Sequence, residues 1–378
     1  MNLSTISTPS ALVDEARMMR NIERMQRRMN ELGVRFRPHV KTSKCIEVAR
    51  RQAQAGATGI TVSTLKEAEQ FFKAGFNDIL YAVCMAPNKL EQALALANMG
   101  CDLTIVVDSE ASASAIVDKG RAAGHRFNVM IEIDTDGHRS GVQPGSDDLI
   151  RIGRILHDSG ARLKGVMTHA GSSYDFNTPE ALQRIAEQER RLCVQAAERL
   201  RSADLPCAEV SVGSTPTALS ALNLDGVTEV RAGVYVFFDL VMSNVGVCTP
   251  GDVALSVLTT VIGHQPEKGW AIVDAGWMAM SRDRGTQKQA TDYGYGAAAC
   301  DLNGRLIEGF VLTGANQEHG ILSRADGGIT KDIAGLFPIG TQLRILPNHA
   351  CATGAQFPEY HVIGGKGEVQ IWERFYGW

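Results

Sequence analysis

The sequence has no apolar stretch long enough to cross a membrane as a helix. Its longest apolar run, Val234–Met242, is short and is interrupted by Asp239. The first residues, MNLSTISTPS, also lack the basic and apolar regions of a signal peptide. We therefore expect a cytoplasmic protein that has no membrane partner.

Neither sign of charge dominates, and closely spaced cysteine pairs are missing. The 378 residues include 38 Lys and Arg against 42 Asp and Glu, a net charge of −4, so no nucleic-acid-binding face is indicated. The eight cysteines contain no CxxC pair, which is typical of reduced thiols in a cytoplasm. A hydrophobic fraction of 44% and a charged fraction of 21% exclude intrinsic disorder and indicate a large core.

Short apolar segments alternate with longer amphipathic ones over the first two thirds of the chain. The predicted strands are Val34–Val40, Gly59–Ser63, Ile79–Ala82, Leu103–Val107, Asn128–Asp134, Leu163–His169, Glu209–Gly213 and Glu229–Ala232. Each strand pairs with a predicted helix, and eight such pairs within about 215 residues favour an α/β fold of the (β/α)8 barrel type. An open doubly wound sheet is the main alternative, but no GxGxxG motif follows the first strand.

The pattern changes after about residue 250, where helical periodicity is scarce. The predicted strands there are Val253–Ile262, Gly269–Ala275, Gly309–Thr313, Gln342–Pro347 and Val369–Tyr376. They indicate a second, mainly β domain. We expect the first ten or so residues to add a strand to it. The predicted limits are 12–248 for the barrel and 249–378, together with 1–11, for the β domain.

Reactive residues of a barrel lie at the carboxyl ends of its strands. Lys41 follows the first predicted strand, VRFRPHV, and is a candidate Schiff-base amine. The neighbouring Arg37 and His39 are expected to lower its pKa by like charge. The alternative, a lysine that only covers the barrel mouth in water, is the commoner situation for an arbitrary lysine.

A candidate anion site follows the strand that ends near residue 213. Gly213, Ser214 and Thr215 open a predicted helix, where free N–H groups and hydroxyls can hold a phosphate. An ordinary helix cap is an equally good explanation of this pattern. Gly233 adds a second close approach of the backbone, and Tyr235 adds a hydroxyl beside it.

His349 and Cys351 form a His-x-Cys motif in the β domain. On an extended segment, residues two apart point to one face, so both could bind a single ion. Imidazole and thiolate favour a divalent cation such as zinc, and two protein ligands leave room for substrate and water. The alternative is coincidence, with the cysteine acting as a small hydrophobe. Asp274 is expected to be a turn or surface residue.

An ordered set of motifs gives the chain a specific likeness: RPHVKTSK, DTDGHRSGV, THAGSS, VGSTPT, EVRAGVYVFFD, VDAGW, QEHG and the late His-x-Cys. In these motifs the chain resembles the pyridoxal 5′-phosphate (PLP) enzymes of the alanine racemase fold type. Within them it is similar to the branch of D-serine dehydratases and D-threonine aldolases. The resemblance runs over essentially the whole chain.

The resemblance implies a role for each candidate residue. The implied cofactor-binding residues are Lys41, Arg139, His169, Gly213, Ser214, Thr215, Arg231, Gly233 and Tyr235, and the implied ligands of a divalent metal (Zn, Mn, Co or Mg) are His349 and Cys351. Lys41 would form the Schiff base with PLP and act as the catalytic base. His349 and Cys351 would also be catalytic, through the metal that they bind. Arg139 would lie beside the phenolic oxygen of PLP, and Arg231 would face the pyridine nitrogen. His169 stands where D-threonine aldolases carry a tyrosine.

The implied reaction is the elimination of water from a β-hydroxy-D-amino acid. D-threo-3-hydroxyaspartate, which gives oxaloacetate and ammonia, is the expected substrate of this dehydratase (ammonia-lyase). Aldolases tend to show His-x-Asp, so Cys351 favours elimination over retro-aldol cleavage. The alternatives are a D-threonine-type aldolase, a D-serine dehydratase, a metal-free racemase that uses Tyr293 or Tyr295, and a cofactor-binding regulator without catalysis. The resemblance also implies a homodimer.

Overall fold

The computed structural model describes residues 3–300, 304–365 and 367–378. Among these residues, no helix is both long enough and apolar enough to span a membrane. The strands are β1 (Ser10–Asp14), β2 (Arg35–Pro38), β3 (Ile60–Val62), β4 (Asp78–Cys84), β5 (Asp102–Val107), β6 (Asn128–Glu132), β7 (Arg162–Met167), β8 (Glu209–Val212), β9 (Glu229–Ala232), β10 (Leu255–Gln265), β11 (Trp270–Val273), β12 (Ala297–Cys300), β13 (Phe310–Ala315), β14 (Gly320–Arg324), β15 (Gln342–Leu346), β16 (Glu359–Ile363) and β17 (Val369–Glu373).

The helices alternate with strands in the first part of the chain and are short in the second. They are α1 (Glu15–Glu31), α2 (Ile46–Gln54), α3 (Leu65–Lys73), α4 (Leu90–Asn98), α5 (Glu110–Ala123), α6 (Asp148–Asp158), α7 (Pro179–Ser202), α8 (Thr215–Ser220), α9 (Leu240–Val245), α10 (Trp277–Met280), α11 (Ile333–Leu336) and α12 (Ala350–Gly354).

The chain divides into two compact units. The barrel unit comprises Glu23–Gly233 with Tyr376–Trp378, and the β unit comprises Met1–Ile22 with Val234–Phe375. The domain limits expected from the sequence, 12–248 and 249–378 with 1–11, stay a prediction.

Eight parallel strands form the sheet of the barrel unit, in the order β2-β9-β8-β7-β6-β5-β4-β3. A parallel bridge between His39, which follows β2, and Thr61 of β3 joins the two ends of this order. The sheet therefore closes, which confirms the predicted (β/α)8 barrel and excludes the open doubly wound sheet.

The interior of the barrel is apolar on one side and polar on the other. Leu80, Val106, Met130 and Met167, one from each of β4 to β7, form a buried cluster. On β2, β8 and β9, by contrast, the buried side chains include arginine, serine and glutamate. Charged groups inside a protein need partners, so this side of the barrel holds a network of ion pairs and hydrogen bonds.

The β unit contains a nine-stranded sheet in the order β11-β14-β13-β12-β15-β10-β1-β16-β17. β1 lies inside this sheet, antiparallel to β10 and parallel to β16. The expected N-terminal strand thus exists, although it covers Ser10–Asp14 and not the first ten residues. The sequence did not predict β12, β14 or β16. In β16 only Tyr360 and Val362 are buried, at alternate positions, so no apolar run marks the strand.

Asp274, expected to be a turn or surface residue, lies in the bend after β11 and is also an acceptor for two other segments of the β unit. Its Oδ1 accepts from the Thr259 hydroxyl at 2.7 Å and from the Thr260 N–H at 2.9 Å. Its Oδ2 accepts from the Thr8 hydroxyl at 2.5 Å. The carboxylate therefore fastens the segment before β1 to β10.

We expect Asp274→Ala to lower the free energy of unfolding by about 2 kcal/mol, because three donors lose a charged acceptor. Urea denaturation followed by circular dichroism measures this loss. Asp326→Ala, which removes an exposed carboxylate of the same unit, should change stability by no more than about 0.5 kcal/mol. Equal denaturation midpoints for the two variants would contradict the anchoring role.

Candidate active site

The barrel brings the predicted cofactor residues of its own unit to one end. Lys41 follows β2, Arg139 follows β6 and His169 follows β7. Gly213, Ser214 and Thr215 follow β8, while Arg231 lies in β9 and Gly233 just after it. Because all eight strands are parallel, these carboxyl ends meet at the same rim. Tyr235, His349 and Cys351 belong to the β unit.

Lys41 is exposed, and its charge acts on two histidines. Burial, followed by the charge of Lys41, lowers the pKa of both His39 and His169. Lys41 therefore lies close to both imidazoles, and both are neutral. Among the described residues, the Lys41 amine has no hydrogen-bond or ion-pair partner, which leaves it available to a ligand.

Arg37 does not lie beside Lys41, so the expectation that Arg37 and His39 act on Lys41 as like charges is wrong. The Arg37 guanidinium bonds to Glu229 at 2.7 Å and to Asp78 at 2.8 Å. Asp78 begins β4, so Arg37 faces the amino ends of the strands. His39 carries no charge, because burial keeps its pKa well below the usual value.

His169 is fixed in one tautomer. Its Nδ1 lies 3.0 Å from the carbonyl oxygen of Gly213. A carbonyl can only accept, so Nδ1 carries the proton and Nε2 carries a lone pair. Burial and the charge of Lys41 lower the pKa of His169 to about 3. The ring can therefore accept a hydrogen bond at Nε2 at any ordinary pH.

Glu189 is a structural member of this rim that the sequence reasoning missed. It is buried in the middle of α7, and its Oε1 accepts from the N–H groups of Ala170 at 2.9 Å and Gly213 at 3.1 Å. One carboxylate oxygen thus joins the loop after β7 to the loop after β8 and holds His169 against Gly213. The available signal was a lone acidic residue in the apolar stripe of α7, between Ala186 and Cys193.

Arg231 is buried, and its hydrogen bonds come from the barrel itself. Its guanidinium donates to the hydroxyl of Ser211 at 2.6 Å and to the carbonyl of Thr168 at 2.5 Å. Ser211 in turn donates to Glu229 at 2.7 Å, the carboxylate that also binds Arg37. Burial lowers the pKa of Arg231, and the negative charge of Glu229 opposes this effect.

The helix cap at Ser214 is formed in full. Ser214 Oγ accepts from the N–H of Thr217, and the N–H of Ser214 donates to the hydroxyl of Thr217. The Ser214 hydroxyl also lies 2.9 Å from that of Ser173, and the N–H of Gly213 is bonded to Glu189. Two of the N–H groups expected to be free for a phosphate are therefore occupied by protein acceptors.

Glycine is required at one place on this rim and permits a close backbone approach at a second. Gly213 has φ of +129°, and a Cβ there would lie 2.2 Å from the carbonyl oxygen of Arg231. A Cβ at Gly233 would lie 3.1 Å from the carbonyl oxygen of His39 and 3.2 Å from the hydroxyl of Thr42. The glycines thus allow the ends of neighbouring strands to approach closely.

Arg139 lies in an exposed loop, 3.5 Å from the buried carboxylate of Glu132. The thiol of Cys84 donates to the same carboxylate at 3.1 Å. The loop is tied to the one after β7, because Asp136 accepts from both the N–H and the hydroxyl of Ser172 at 2.8 Å.

In the β unit, the His-x-Cys motif lies at a helix start, so the expectation of an extended segment is wrong. His349 is the N-cap residue of α12, and Cys351 is the second residue of that helix. Burial alone would lower the pKa of His349, but the Cys351 thiolate and a hydrogen bond to Asp283 outweigh it and raise the pKa to about 11. The two side chains nevertheless lie within hydrogen-bonding reach of each other, which is close enough for both to bind one ion.

The backbone between the two candidate ligands is held by a buried carboxylate. Asp239 accepts from the N–H of Ala350 at 2.9 Å and from that of Met242 at 2.9 Å. Tyr235, in the turn that precedes Asp239, is also buried.

Within the described ranges, no group of three or more His, Cys, Asp and Glu side chains is arranged to hold a metal. The motif therefore offers two protein ligands.

Models of two protein families match the chain. Residues 13–241 match the alanine racemase N-terminal domain, and residues 254–363 match a putative serine dehydratase domain. The chain belongs to the alanine racemase N-terminal domain family. The match to this family covers more than half of the chain.

Known proteins resemble the chain along nearly its full length. D-threo-3-hydroxyaspartate dehydratase from Delftia sp. (strain HT23) is 69% identical, with 100% of this chain and 99% of that protein covered. D-serine dehydratase from Dictyostelium discoideum is 31% identical, with 97% and 96% covered. The solved structure of the Delftia enzyme covers 100% of both chains with a TM-score of 0.98 and 68% identity.

Two solved variants of D-threo-3-hydroxyaspartate dehydratase concern a histidine and a cysteine. In one the histidine is replaced by alanine (TM-score 0.99), and in the other, described as the metal-free form, the cysteine is replaced by alanine (TM-score 0.98). Each is 68% identical to this chain and covers 100% of it, and the first structure is itself covered to 97% and the second to 100%. The replaced residues are two positions apart in that protein, which is the spacing of His349 and Cys351.

His169 makes the stability of the cofactor-free protein depend on pH. Its pKa is about 3 when folded and near 6.5 when unfolded, so unfolding takes up a proton between these values. Stability is therefore full above pH 6.5 and falls as the pH drops towards 3. We expect His169→Asn, whose amide can still donate to Gly213, to reduce the slope of unfolding free energy against pH near pH 5 by about 1 kcal/mol per pH unit.

Urea denaturation at several pH values between 4 and 7 measures this slope. His157→Asn, a change at an exposed histidine, serves as the control and should leave the slope unchanged. A His169→Asn protein with the slope of the unmodified protein would show that His169 is not buried as a neutral ring.

Proposed function

We propose that this chain is a PLP- and divalent-metal-dependent dehydratase. It eliminates water from a β-hydroxy-D-amino acid, D-threo-3-hydroxyaspartate, and the products are oxaloacetate and ammonia. The observation that carries the proposal is the 69% identity over the whole chain to an enzyme of that activity. The histidine and cysteine changed in the structures of that enzyme support it further, because the chain has the same pair at the same spacing.

The barrel rim fits PLP in its charge and in its unused polar groups. PLP is an anion with an aldehyde, and the rim offers an exposed amine at Lys41 and the guanidinium groups of Arg139 and Arg231. Among the described residues, the buried Nδ1 of His39 has no hydrogen-bond partner, and the ring therefore has capacity for a ligand. Gly213, Ser214, Thr215, Gly233 and Tyr235 would hold the phosphate. The N–H groups of Gly213 and Ser214 already donate to Glu189 and Thr217, so the phosphate would meet the other polar groups of this set.

The His-x-Cys motif fits a divalent metal in its donor chemistry. Imidazole and thiolate are typical ligands of zinc and of similar transition ions. Two protein ligands leave coordination positions for substrate and water, as catalytic sites require. His349 and Cys351 would hold this ion, which is Zn, Mn, Co or Mg.

PLP, the metal and Lys41 would each have a separate role in the elimination. When bound, PLP withdraws electrons from Cα of the substrate, and the metal acts as a Lewis acid on the hydroxyl that leaves Cβ. Lys41 would hold the cofactor's aldehyde carbon and, once released from it, would take the α-proton at Nζ. His39 and His169 are both neutral, so neither places a positive charge beside that amine. Loss of the α-proton and the β-hydroxyl as water gives an enamine, which hydrolyses to oxaloacetate and ammonia.

Lys41→Ala should abolish turnover, because the variant lacks both the amine that holds the cofactor and the base. The absorbance of the lysine-bound cofactor should disappear as well. Lys73→Ala, at an exposed helix position, should keep both signals. An active Lys41→Ala enzyme with normal absorbance would end the assignment of Lys41.

Cys351→Ala should lower kcat by about 100-fold or more while PLP stays bound, because the variant loses a metal ligand. Metal content by elemental analysis, PLP absorbance and ammonia release are measured on the same preparation. Cys101→Ala removes a buried thiol of the barrel and should keep the metal. Full activity of verified metal-free protein would contradict the role of the ion.

The products decide between the proposed reaction and its alternatives. A D-threonine-type aldolase would release glycine and an aldehyde, whereas the dehydratase releases ammonia and a keto acid. Incubation with D-serine, D-threonine and both diastereomers of D-3-hydroxyaspartate, each with several divalent ions, separates these activities. The highest kcat/KM is expected for D-threo-3-hydroxyaspartate. We also propose a homodimer, which sedimentation analysis tests.

A further inference from the structure

A carboxylate next to the His-x-Cys motif has no role in the function proposed above. The Nδ1 of His349 lies 2.7 Å from Oδ2 of Asp283. Both side chains are half-buried, and they come from segments 66 residues apart in the chain. The contact is therefore created by the fold of the β unit and not by sequence proximity.

Asp283 is itself fixed by its neighbours. Its second carboxylate oxygen, Oδ1, accepts from the N–H of Gly285 at 2.7 Å, and its own N–H donates to the hydroxyl of Ser281 at 3.2 Å. Its carbonyl oxygen accepts from the amide of Asn348 at 3.2 Å. The carboxylate thus has little freedom to turn away from His349.

The histidine is held from its other side as well. Asn348 precedes it, and the Asn348 amide also donates to the carbonyl of Gly294 at 2.7 Å and accepts from the hydroxyl of Thr286 at 3.3 Å. After the histidine, the N–H of Ala350 donates to Asp239. The backbone of His349 is therefore fixed. What these contacts leave open is which ring nitrogen, Nδ1 or Nε2, faces the ion.

We propose that Asp283 is a positioning residue that makes this choice. The carboxylate accepts a hydrogen bond from Nδ1, so Nε2 is the nitrogen left for the metal, which binds there in place of a proton. A histidine ligand whose other nitrogen donates to a carboxylate is held in one tautomer and one orientation and is a stronger donor. Asp283 acts through His349 and does not itself bind the ion.

This role rests on the proposed function, because it presupposes that His349 binds a metal. It adds a distinct claim, namely that the affinity for the metal depends on a carboxylate outside the His-x-Cys motif. Experiments can test the two separately. Whether the unmodified protein binds an ion tests the metal site, and how tightly the Asp283 variants bind it tests the role of Asp283.

The test compares Asp283→Ala, Asp283→Asn and the unmodified holoenzyme in titrations with Co²⁺, whose visible spectrum reports its ligands. Asp283→Ala should raise the dissociation constant of Co²⁺ about 10- to 100-fold, because Nδ1 loses its acceptor. Asp283→Asn keeps an oxygen that can accept from Nδ1, so its dissociation constant should fall between the two. Asp326→Ala, an exposed change in the same unit, is the matched control and should bind Co²⁺ normally.

Three further readouts distinguish positioning from a structural defect. The thiolate-to-cobalt absorption of Cys351 should persist in Asp283→Ala, because that ligand is untouched. The concentration of Co²⁺ for half-maximal activity should rise with the dissociation constant, while kcat at saturating Co²⁺ should recover to within a few-fold. PLP absorbance and the melting temperature should remain close to those of the unmodified protein.

Two results would overturn the inference. If folded Asp283→Ala and Asp283→Asn bind Co²⁺ as tightly as the unmodified protein, Asp283 has no positioning role although the metal site stands. If the unmodified holoenzyme binds no Co²⁺, the assignment of His349 and Cys351 as metal ligands fails, and the role of Asp283 fails with it.

Discussion

The buried carboxylate of Glu229 is the interaction on which the polar side of the barrel depends. One of its oxygens accepts from Arg37, and the other accepts from Ser211, which in turn accepts from Arg231. A buried arginine without such partners would cost several kcal/mol of stability. Glu229 therefore permits two arginines inside one barrel, Arg37 directed to the amino ends of the strands and Arg231 close to the rim.

The charge at the rim follows from this arrangement. With Arg231 and Lys41 nearby, neither His39 nor His169 gains a proton, and both rings serve as neutral groups. Glu189 then fixes where the second ring lies, because it binds the backbone on both sides of the contact between His169 and Gly213. The rim is positive through its lysine and arginines alone, which suits an anionic cofactor and substrate.

The sequence was sufficient to predict the elements whose pattern is local. Eight apolar segments separated by amphipathic ones identified the barrel, and the approximate positions of all eight strands agree with the structure. Strand β16 was not predicted, because only two of its five side chains are buried. The motif set likewise led to the family and to the residues Lys41, His349 and Cys351 as candidates.

Contacts between distant segments could not be predicted in the same way. Glu189, Asp283 and Asp274 act through partners far away in the chain, and nothing in their own neighbourhood reveals those partners. The same limit explains the error about Arg37, whose direction is set by Glu229 and Asp78. It also explains the backbone at His349, where a helix begins because Asp239 binds the N–H of Ala350.

The position of β1 has a consequence for how the chain is synthesised. This strand precedes the eight barrel strands in the chain, yet both of its neighbours, β10 and β16, follow them. During translation, both edges of β1 remain unpaired until β10 and β16 have been synthesised. Exposed strand edges are prone to aggregation. A shortened gene that starts at residue 249 would lack this inner strand and leave a gap between β10 and β16, so such a fragment is a poor candidate for independent expression.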